Sequence, residues 1–196
     1  SKISRIAVPN ATSLPNNTFR ACGSLTNVLL SSTVTTVGEN AFYGCSSLKD
    51  VSGGIFETAT SIGASAFYNC SSLVREVELR EVTSIGNSAF SGSGLTGIRA
   101  PKLVTMGLSV FRSCANLEYA EVFNPTLTAV SSYCCSDCPK LKSVTWNCPR
   151  ISTWSEAMFM NCTSLSNFTF KTPLTKFAGS MFGGISGGAH IAWFGD

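Results

Sequence analysis

The sequence predicts an α/β solenoid, in which short repeats stack along one axis and share a parallel sheet. A motif, Φ-G-x-x-A-F-x-x-C-x-x-L, recurs along the 196-residue chain. Its phenylalanine position returns every 21 to 25 residues, and a short alternating apolar run follows each copy. Self-similarity with a period of about 20 to 50 residues is the sequence signature of stacked repeats.

The phenylalanine position defines eight copies of the motif. The copy at 34–51, VTTVGENAFYGCSSLKDV, shows it in full. The position is occupied in order by Phe19, Phe42, Phe67, Phe90, Phe111, Cys135, Phe159 and Phe182. Because these side chains return once per repeat, we expect them to stack in the interior, one ring above another.

Each copy ends in a run that alternates between apolar and polar side chains, which is the pattern of a strand with one buried face. The runs are 3–9, 25–30, 48–51, 74–79, 95–100, 117–123, 141–146, 165–170 and 189–194. One strand per repeat pairs in parallel, through a right-handed crossover. We therefore expect a parallel sheet of about nine short strands.

The other half of each repeat is expected to return the chain along the convex side. A short extended piece, 34–37 in the copy quoted above, comes first. Glycine then marks a tight bend, where a side chain would obstruct the chain or φ is positive. These bend glycines are Gly38, Gly63, Gly86 and Gly107. A short helical or irregular turn, 39–43 in the same copy, is expected to carry its alanine and phenylalanine inward.

Nine cysteines would ordinarily indicate a disulfide framework or a zinc site. Six of them occupy one repeat position, three residues after the phenylalanine position: Cys22, Cys45, Cys70, Cys114, Cys138 and Cys162. Cys134 and Cys135 also fill repeat positions, whereas Cys148 has none. We expect an unpaired ladder of thiols. Two alternatives stay open, namely pairing of some cysteines and a redox or zinc role for Cys135-x-x-Cys138.

Composition argues against several classes of protein. With 44% hydrophobic and 13% charged residues, the chain can form a core and is not of the disordered class. No apolar run approaches the roughly 18 residues of a membrane-spanning helix, so no membrane insertion is predicted. A net charge of +3 spread along the chain gives no basic stripe, so no nucleic-acid partner is predicted.

The residue pattern predicts neither catalysis nor a cofactor. His190, the only histidine, falls in the last predicted strand and is expected to face solvent. No carboxylate pair stands out as a general acid and base, and the glycines are bend residues rather than a phosphate-binding loop. We therefore predict a protein that is not an enzyme, with no metal site and no cofactor.

The outward side chains of the middle strands form the first candidate binding site. Charges of both signs there surround an aromatic ring: Glu76, Glu78, Arg99, Tyr119 and Glu121. Tyrosine and arginine are enriched among binding hot spots. A merely solvated sheet face is the alternative.

Longer loops provide a second candidate. The segments 51–62, 120–130 and 144–154 are longer than their counterparts, and insertions in a solenoid often mark its binding edge. Their apolar or basic residues are expected to be exposed: Ile55, Phe56, Phe123, Pro125, Pro149 and Arg150. Phe56 and Phe123 are therefore added to the candidate binding residues.

The pattern L-x-x-V-x-L followed by V-T-x-I-G-x-x-A-F-x-x-C-x-x-L resembles the BspA-like leucine-rich repeats of bacterial and protozoan surface proteins. The resemblance covers 3–194 and departs at Cys135, Gly188 and 176–179. It implies a right-handed leucine-rich-repeat horseshoe. We expect one domain, 1–196, with a degenerate last repeat at about 174–196. Neither end shows a polar cap, so the chain is expected to be part of a longer protein.

The resemblance also implies a cell-surface or secreted context, although no signal sequence precedes Ser1. The implied role is recognition of, or adhesion to, a host or matrix protein. The alternative is a structural spacer that displays another domain. The identity of the ligand and the oligomeric state stay open.

Overall fold

A computed structural model describes residues 3–151, 154–170, 179–185 and 190–193. Within these ranges the chain forms fourteen strands and one four-residue helix. In chain order they are β1 (Arg5–Val8), β2 (Ser13–Leu14), β3 (Asn27–Leu30), β4 (Thr36–Val37), β5 (Asp50–Ser52), α1 (Ile55–Thr58), β6 (Ser61–Ile62), β7 (Glu76–Glu78), β8 (Ser84–Ile85), β9 (Gly97–Ala100), β10 (Thr105–Met106), β11 (Tyr119–Val122), β12 (Ser143–Trp146), β13 (Asn167–Phe170) and β14 (His190–Trp193). Most of the degenerate repeat predicted at 174–196 lies outside the described residues.

The strands of successive repeats pair in parallel, which confirms that prediction. The longer strands form two sheets, in the orders β1-β3-β5 and β14-β13-β12-β11-β9-β7. The two-residue strands form a third sheet, in the order β10-β8-β6-β4-β2. Equivalent residues lie side by side, as Val28 does with Val51. The horseshoe curvature and the right-handed crossovers stay predictions.

A single sheet of nine strands is wrong, because the ladder breaks between β5 and β7. Val51 follows Leu48 by three positions, whereas Val77 follows Leu73 by four. The additional residue, Val74, is 58% exposed and its N–H donates within its own turn. An extra residue in one strand disrupts the ladder locally, so the pairing starts again at β7.

Of the two alternatives predicted for the turns, helical or irregular, the structure has the irregular one, with residues in the left-handed conformation. In the repeat at 34–51, the N–H groups of Asn40, Phe42 and Gly44 donate to carbonyls of the next repeat at 2.7–2.9 Å. A helix would keep such bonds within itself. Asn40 has a φ of 53° and Gly44 of 68°, which turns alternate N–H groups toward the neighbour. The repeats share positive φ two residues before the phenylalanine position, at Asn17, Asn40, Ser65, Ser88, Ser109, Tyr133, Ala157 and Ser180.

The interior column of phenylalanine rings is confirmed. From Phe19 to Phe111, the ring centroids of consecutive members lie 5.0–5.7 Å apart. Phe42, Phe67 and Phe90 are at most 1% exposed and belong to one continuous core. Cys135 interrupts the column, which resumes where Phe159 and Phe182 stack at 5.8 Å. The stack explains why a single repeat needs its neighbours to bury its aromatic ring.

A ladder of buried thiols runs beside these rings. Five of the six thiols at the repeat position donate a hydrogen bond to the carbonyl of the phenylalanine position in the preceding repeat, at 3.0–3.1 Å. The donors are Cys45, Cys70, Cys114, Cys138 and Cys162. Cys138 and Cys135 are thus both part of the core. Cys148 is buried as well, and its thiol lies 3.7 Å from the carbonyl of Val122.

Candidate binding surface

The outward face of strands β7, β9 and β11 carries the first group of predicted binding residues. The register places Glu78, Arg99 and Glu121 side by side. Tyr119 lies one row away, next to Gly97. The structure thus brings together five of the seven predicted residues. We call this group the central cluster: Glu76, Glu78, Arg99, Tyr119 and Glu121.

Arg99 is the centre of the cluster. Its Nε donates to Oε2 of Glu121 at 2.8 Å, and a second guanidinium nitrogen lies 4.0 Å from Oε2 of Glu76. The guanidinium carbon lies 4.8 Å from the centre of the Tyr119 ring, which is within cation–π range. The hydrogen bond to Glu121 raises the pKa of Arg99. The side chain is nevertheless 46% exposed, so it is fixed in place and open to solvent.

Tyr119 lies flat on the sheet, because Gly97 leaves room for its ring. A Cβ atom at Gly97 would overlap that ring. The phenolic oxygen is buried beside the carboxylate of Glu76. Burial, and then the hydrogen bond with Glu76, raise the pKa of Tyr119 to about 12.

Glu78 is directed away from Arg99, although the two residues are neighbours in register. Both Nε and a terminal nitrogen of Arg80 donate to Oε2 of Glu78, at 3.0 and 2.8 Å. Arg80 is not among the seven predicted binding residues. The cluster therefore consists of a Glu76–Arg99–Glu121 group over Tyr119, with a separate Glu78–Arg80 pair at its border.

Other charged residues link adjacent repeats in the same manner. These ion pairs have N–O distances of 2.7–3.2 Å and partners 21 to 25 residues apart: Asp50–Arg75, Glu81–Lys102, Arg112–Asp137 and Glu118–Lys142. Exposed pairs contribute only about 0–1 kcal/mol each. They make the surface one of matched charges rather than a strongly acidic or basic one.

Phe123 fits its prediction as an exposed loop residue, with 38% of its surface accessible directly after β11. Pro125, Pro149 and Arg150 are exposed as well. Phe123 follows Val122 in the chain, so it lies at the end of the strand that carries Tyr119. It can therefore extend a binding surface that begins at the central cluster.

Phe56 is wrong as a surface residue, because it is 1% exposed. It belongs to α1, and its ring centroid lies 5.4 Å from that of Phe67 in the interior column. The guanidinium of Arg75 covers it at 5.2 Å. Ile55 is buried beside it. The longer loop thus adds apolar side chains to the core instead of presenting them to solvent.

Two features of the surface escaped sequence reasoning. Gly97 occupies a strand position where other repeats have Asn27 or Asp50. A glycine at this position of the sequence indicates that a neighbouring side chain, here Tyr119, has room to lie on the sheet. The stack of Tyr43 on Tyr68 lies on the turns and not on the strands. The sequence feature that indicates this stack is the tyrosine that follows the phenylalanine position in two consecutive repeats.

The thiols of Cys45, Cys70 and Cys148 are poorly suited to nucleophilic chemistry. A thiol must ionise to attack, and burial raises the pKa of Cys45 to about 11. Burial likewise raises the pKa of Cys70 and Cys148. The side chain of His190 lies outside the described part of the molecule, so its predicted solvent exposure stays a prediction.

The thiol ladder predicts that the protein loses stability in alkali. Between pH 9 and about 11 an unfolded Cys45 releases its proton, whereas the folded state retains it. The stabilisation is therefore complete below pH 9 and is lost as the pH rises through about 11. A shift of two units corresponds to about 2–3 kcal/mol. Urea unfolding at pH 8, 9.5 and 11 measures this loss.

Cys45→Ser is the matched variant for that experiment. It retains a hydroxyl donor for the Phe19 carbonyl but does not titrate, and Ser93 already occupies the equivalent position in another repeat. We expect its unfolding free energy to fall less between pH 8 and 11 than that of the wild type. An identical decline in both proteins would show that Cys45 does not ionise on unfolding.

The described residues contain no group of three His, Cys, Asp or Glu side chains that could hold a metal ion. Within the described part of the chain, no helix has the length and apolar character that a membrane span requires.

Stacked 21- to 25-residue repeats, a parallel sheet and this surface define a repeat protein of the leucine-rich class. The family model for the BspA type leucine-rich repeat region, in six copies, matches residues 1–118 and 83–188. The chain belongs to this family. No curated protein matches it.

Solved structures of bacterial leucine-rich repeat proteins share the fold. One from T. pallidum is 23% identical with a TM-score of 0.74, over 84% of this chain and 79% of the other. One from Eubacterium ventriosum is 17% identical with a TM-score of 0.50, over 98% and 86%. One from Bacteroides ovatus is 16% identical with a TM-score of 0.50, over 97% and 69%. At these identities the likeness concerns the fold alone.

Proposed function

We propose that this chain is a non-catalytic recognition domain of a cell-surface or secreted protein, and that it binds a host or matrix protein. The observation that carries the proposal is the arrangement of Arg99 over Tyr119, in which a guanidinium that is 46% exposed lies 4.8 Å from the centre of an aromatic ring. The surface context is proposed from the family to which the chain belongs.

The central cluster has the properties of a binding hot spot. Arg99 is held by Glu121, and Tyr119 is held by the sheet, so neither side chain loses much conformational freedom when a partner binds. Both residue types are enriched at such sites. Charges of both signs lie around the ring, which favours a partner with a complementary polar surface. Phe123 adds an exposed apolar group at the strand end.

The test is a double variant, Tyr119→Ala with Arg99→Gln. Glutamine replaces Arg99 because glutamate would lie between the carboxylates of Glu76 and Glu121. Loss of two hot-spot side chains, at about 2 kcal/mol each or more, should weaken binding by roughly 700-fold or more. Biolayer interferometry against purified matrix and serum proteins measures the affinity. The melting temperature should change by less than about 3 °C, because both side chains are surface groups.

Lys102→Gln is the control for that variant. It also removes one exposed cation and one ion pair, but it lies outside the central cluster. It should bind as the wild type does. Equal binding by the double variant and the wild type, or the absence of any ligand in the panel, would count against the proposal.

A structural spacer is the second candidate function. It is favoured by the ion pairs between adjacent repeats, among them Arg75 with Asp50 and Lys142 with Glu118. Such pairs fasten each repeat to the next without presenting unpaired charge to a partner. A spacer predicts that no ligand is found and that the double variant at Tyr119 and Arg99 has no functional consequence.

A further inference from the structure

The turns carry an outward column of side chains that is separate from the strand face. In the first five repeats it consists of the residue that follows the phenylalanine position: Arg20, Tyr43, Tyr68, Ser91 and Arg112. The guanidinium of Arg20 lies 5.4 Å from the ring centre of Tyr43. The rings of Tyr43 and Tyr68 lie 4.9 Å apart and within 8° of parallel. The first three members thus form a continuous stack.

The stack stops at Ser91, whose side chain is too small to continue it. A slot of about 320 Å³ opens there, between Tyr68 and Arg112. Ser91, which is 8% exposed, lines the slot together with Asn69 and Gly92, and the side-chain oxygen of Asn69 lies over Gly92. One face of Tyr68 is covered by Tyr43, and the slot lies on its other side. We call this cavity the turn slot.

The width of the turn slot matches one aromatic ring. In the adjacent interior column, the step from Phe67 to Phe90 is 5.2 Å and the step from Phe90 to Phe111 is 5.7 Å. Tyr68 and Arg112 follow the first and last of these residues, so they are two steps apart. Aromatic rings pack at centroid distances of about 4.5–7 Å. A ring one step from Tyr68 therefore fits before Arg112 is reached.

Arg112 provides a fixed second wall. Its Nε donates to Oδ2 of Asp137 at 3.2 Å, and its guanidinium lies 5.5 Å from the ring centre of Tyr133. These contacts hold the head group toward the following repeat and leave the slot open. The rim is polar, with the hydroxyls of Ser88 and Ser109. Such a rim suits a ring whose edge or backbone carries hydrogen-bonding groups.

We propose that the turn slot binds an aromatic side chain of a protein partner. The ring stacks on Tyr68 at the place that Ser91 leaves empty, and so continues the column by one member. Pairs of aromatic rings contribute about 0.5–1.5 kcal/mol beyond the area that they bury. The site shares no residue with the central cluster, so the inference holds whether or not the strand face binds a protein.

Ligand-observed saturation-transfer NMR tests the proposal, with N-acetyl-tyrosinamide as the probe and the whole chain as the receptor. We expect saturation of the ring protons and a Kd on the order of 1 mM, which is the affinity of a small fragment. Tyr68→Ala should abolish the signal because it removes the stacking surface. Ser91→Tyr should abolish it as well, because its own ring fills the slot.

Two comparisons make the experiment decisive. Ser46→Tyr adds the same ring at an exposed position elsewhere on the turns and should leave probe binding unchanged. Ser91→Tyr extends the stack of Tyr43 and Tyr68, so it should keep or raise the melting temperature even where Tyr68→Ala is unstable. Probe binding that survives in folded Ser91→Tyr would overturn the proposal. So would equal saturation of N-acetyl-leucinamide, saturation of methyl glucoside in place of the tyrosine probe, or no saturation at all.

Discussion

Phe67→Ala is expected to lower the free energy of unfolding by about 3–5 kcal/mol, with a fall of roughly 10 °C in melting temperature. The ring is fully buried and stacks on Phe42 at 5.0 Å and on Phe90 at 5.2 Å. It also contacts Phe56 at 5.4 Å. Alanine therefore leaves a cavity that borders three other rings and weakens two interfaces between repeats. Urea unfolding followed by circular dichroism measures the effect.

Phe182→Ala is the comparison that tests the stacking explanation. Phe182 is only partly buried, and it stacks on Phe159 at 5.8 Å. The chemical change is the same as in Phe67→Ala, but Phe182 buries less apolar surface than Phe67 does. We therefore expect a smaller loss of unfolding free energy. Equal losses for the two variants would mean that the position in the column does not determine the cost.

Much of the core was predictable from the sequence, for a physical reason. In a stacked array, one side-chain position can be buried only if its counterparts are buried too, so the period of Phe42, Phe67 and Phe90 specified the interior directly. The thiol position of Cys45 and Cys70 followed by the same argument. The recurrence of one strand per repeat likewise predicted parallel pairing.

The break in the sheet corresponds to a change of spacing in the sequence, which the alternation pattern does not reveal. The run at 74–79 alternates well enough to be aligned as an ordinary strand. Its spacing from Leu73 to Val77 is nevertheless one residue longer than that from Leu48 to Val51. Spacing between buried residues, and not alternation alone, therefore predicts where such a ladder is interrupted.

The left-handed turns could not be predicted from residue type. Serine and tyrosine rarely adopt positive φ, yet Ser65 has a φ of 52° and Tyr133 of 59°. Each such residue costs about 1 kcal/mol or more by itself. The hydrogen bonds to the next repeat compensate for that cost, as in the bond of 2.8 Å from the N–H of Ser65 to the carbonyl of Asn87. This compensation arises only once the repeats are stacked.

The sequence predicted which residues of the central cluster share one face of the sheet, but not how their side chains contact one another. Alternation placed Arg99 and Tyr119 on one face, and the register of the strands made them neighbours. The length of the loop at 51–62 indicated an insertion, but it did not determine whether the Phe56 side chain faces solvent or the core. Gly53 and Gly54, with φ of 104° and 77°, turn the chain so that α1 packs inward. Both outcomes depend on three-dimensional contacts that no local pattern contains.

Gly63→Ala is expected to cost about 2–3 kcal/mol, in the range found for overpacked interiors. The bend glycines have no positive φ, so the close-approach alternative of the sequence analysis is the correct one. A Cβ atom at Gly63 would lie 2.6 Å from the backbone nitrogen of Glu39 and 2.7 Å from the carbonyl carbon of Gly38. Backbone atoms cannot rotate away as a side chain can. The two repeats must separate, which strains the bond of 2.8 Å from the Gly63 N–H to the carbonyl of Val37.

Gly23→Ala is the matched control, because it makes the same change where space exists. The nearest foreign atom to its added Cβ would be the Ser46 hydroxyl oxygen at 3.9 Å, which is an ordinary contact. We expect its unfolding free energy to lie within about 0.5 kcal/mol of the wild type. If Gly63→Ala proves equally mild in urea unfolding, the repeats can move apart at little cost. Close backbone contact at the bends would then not be what sets the spacing of the solenoid.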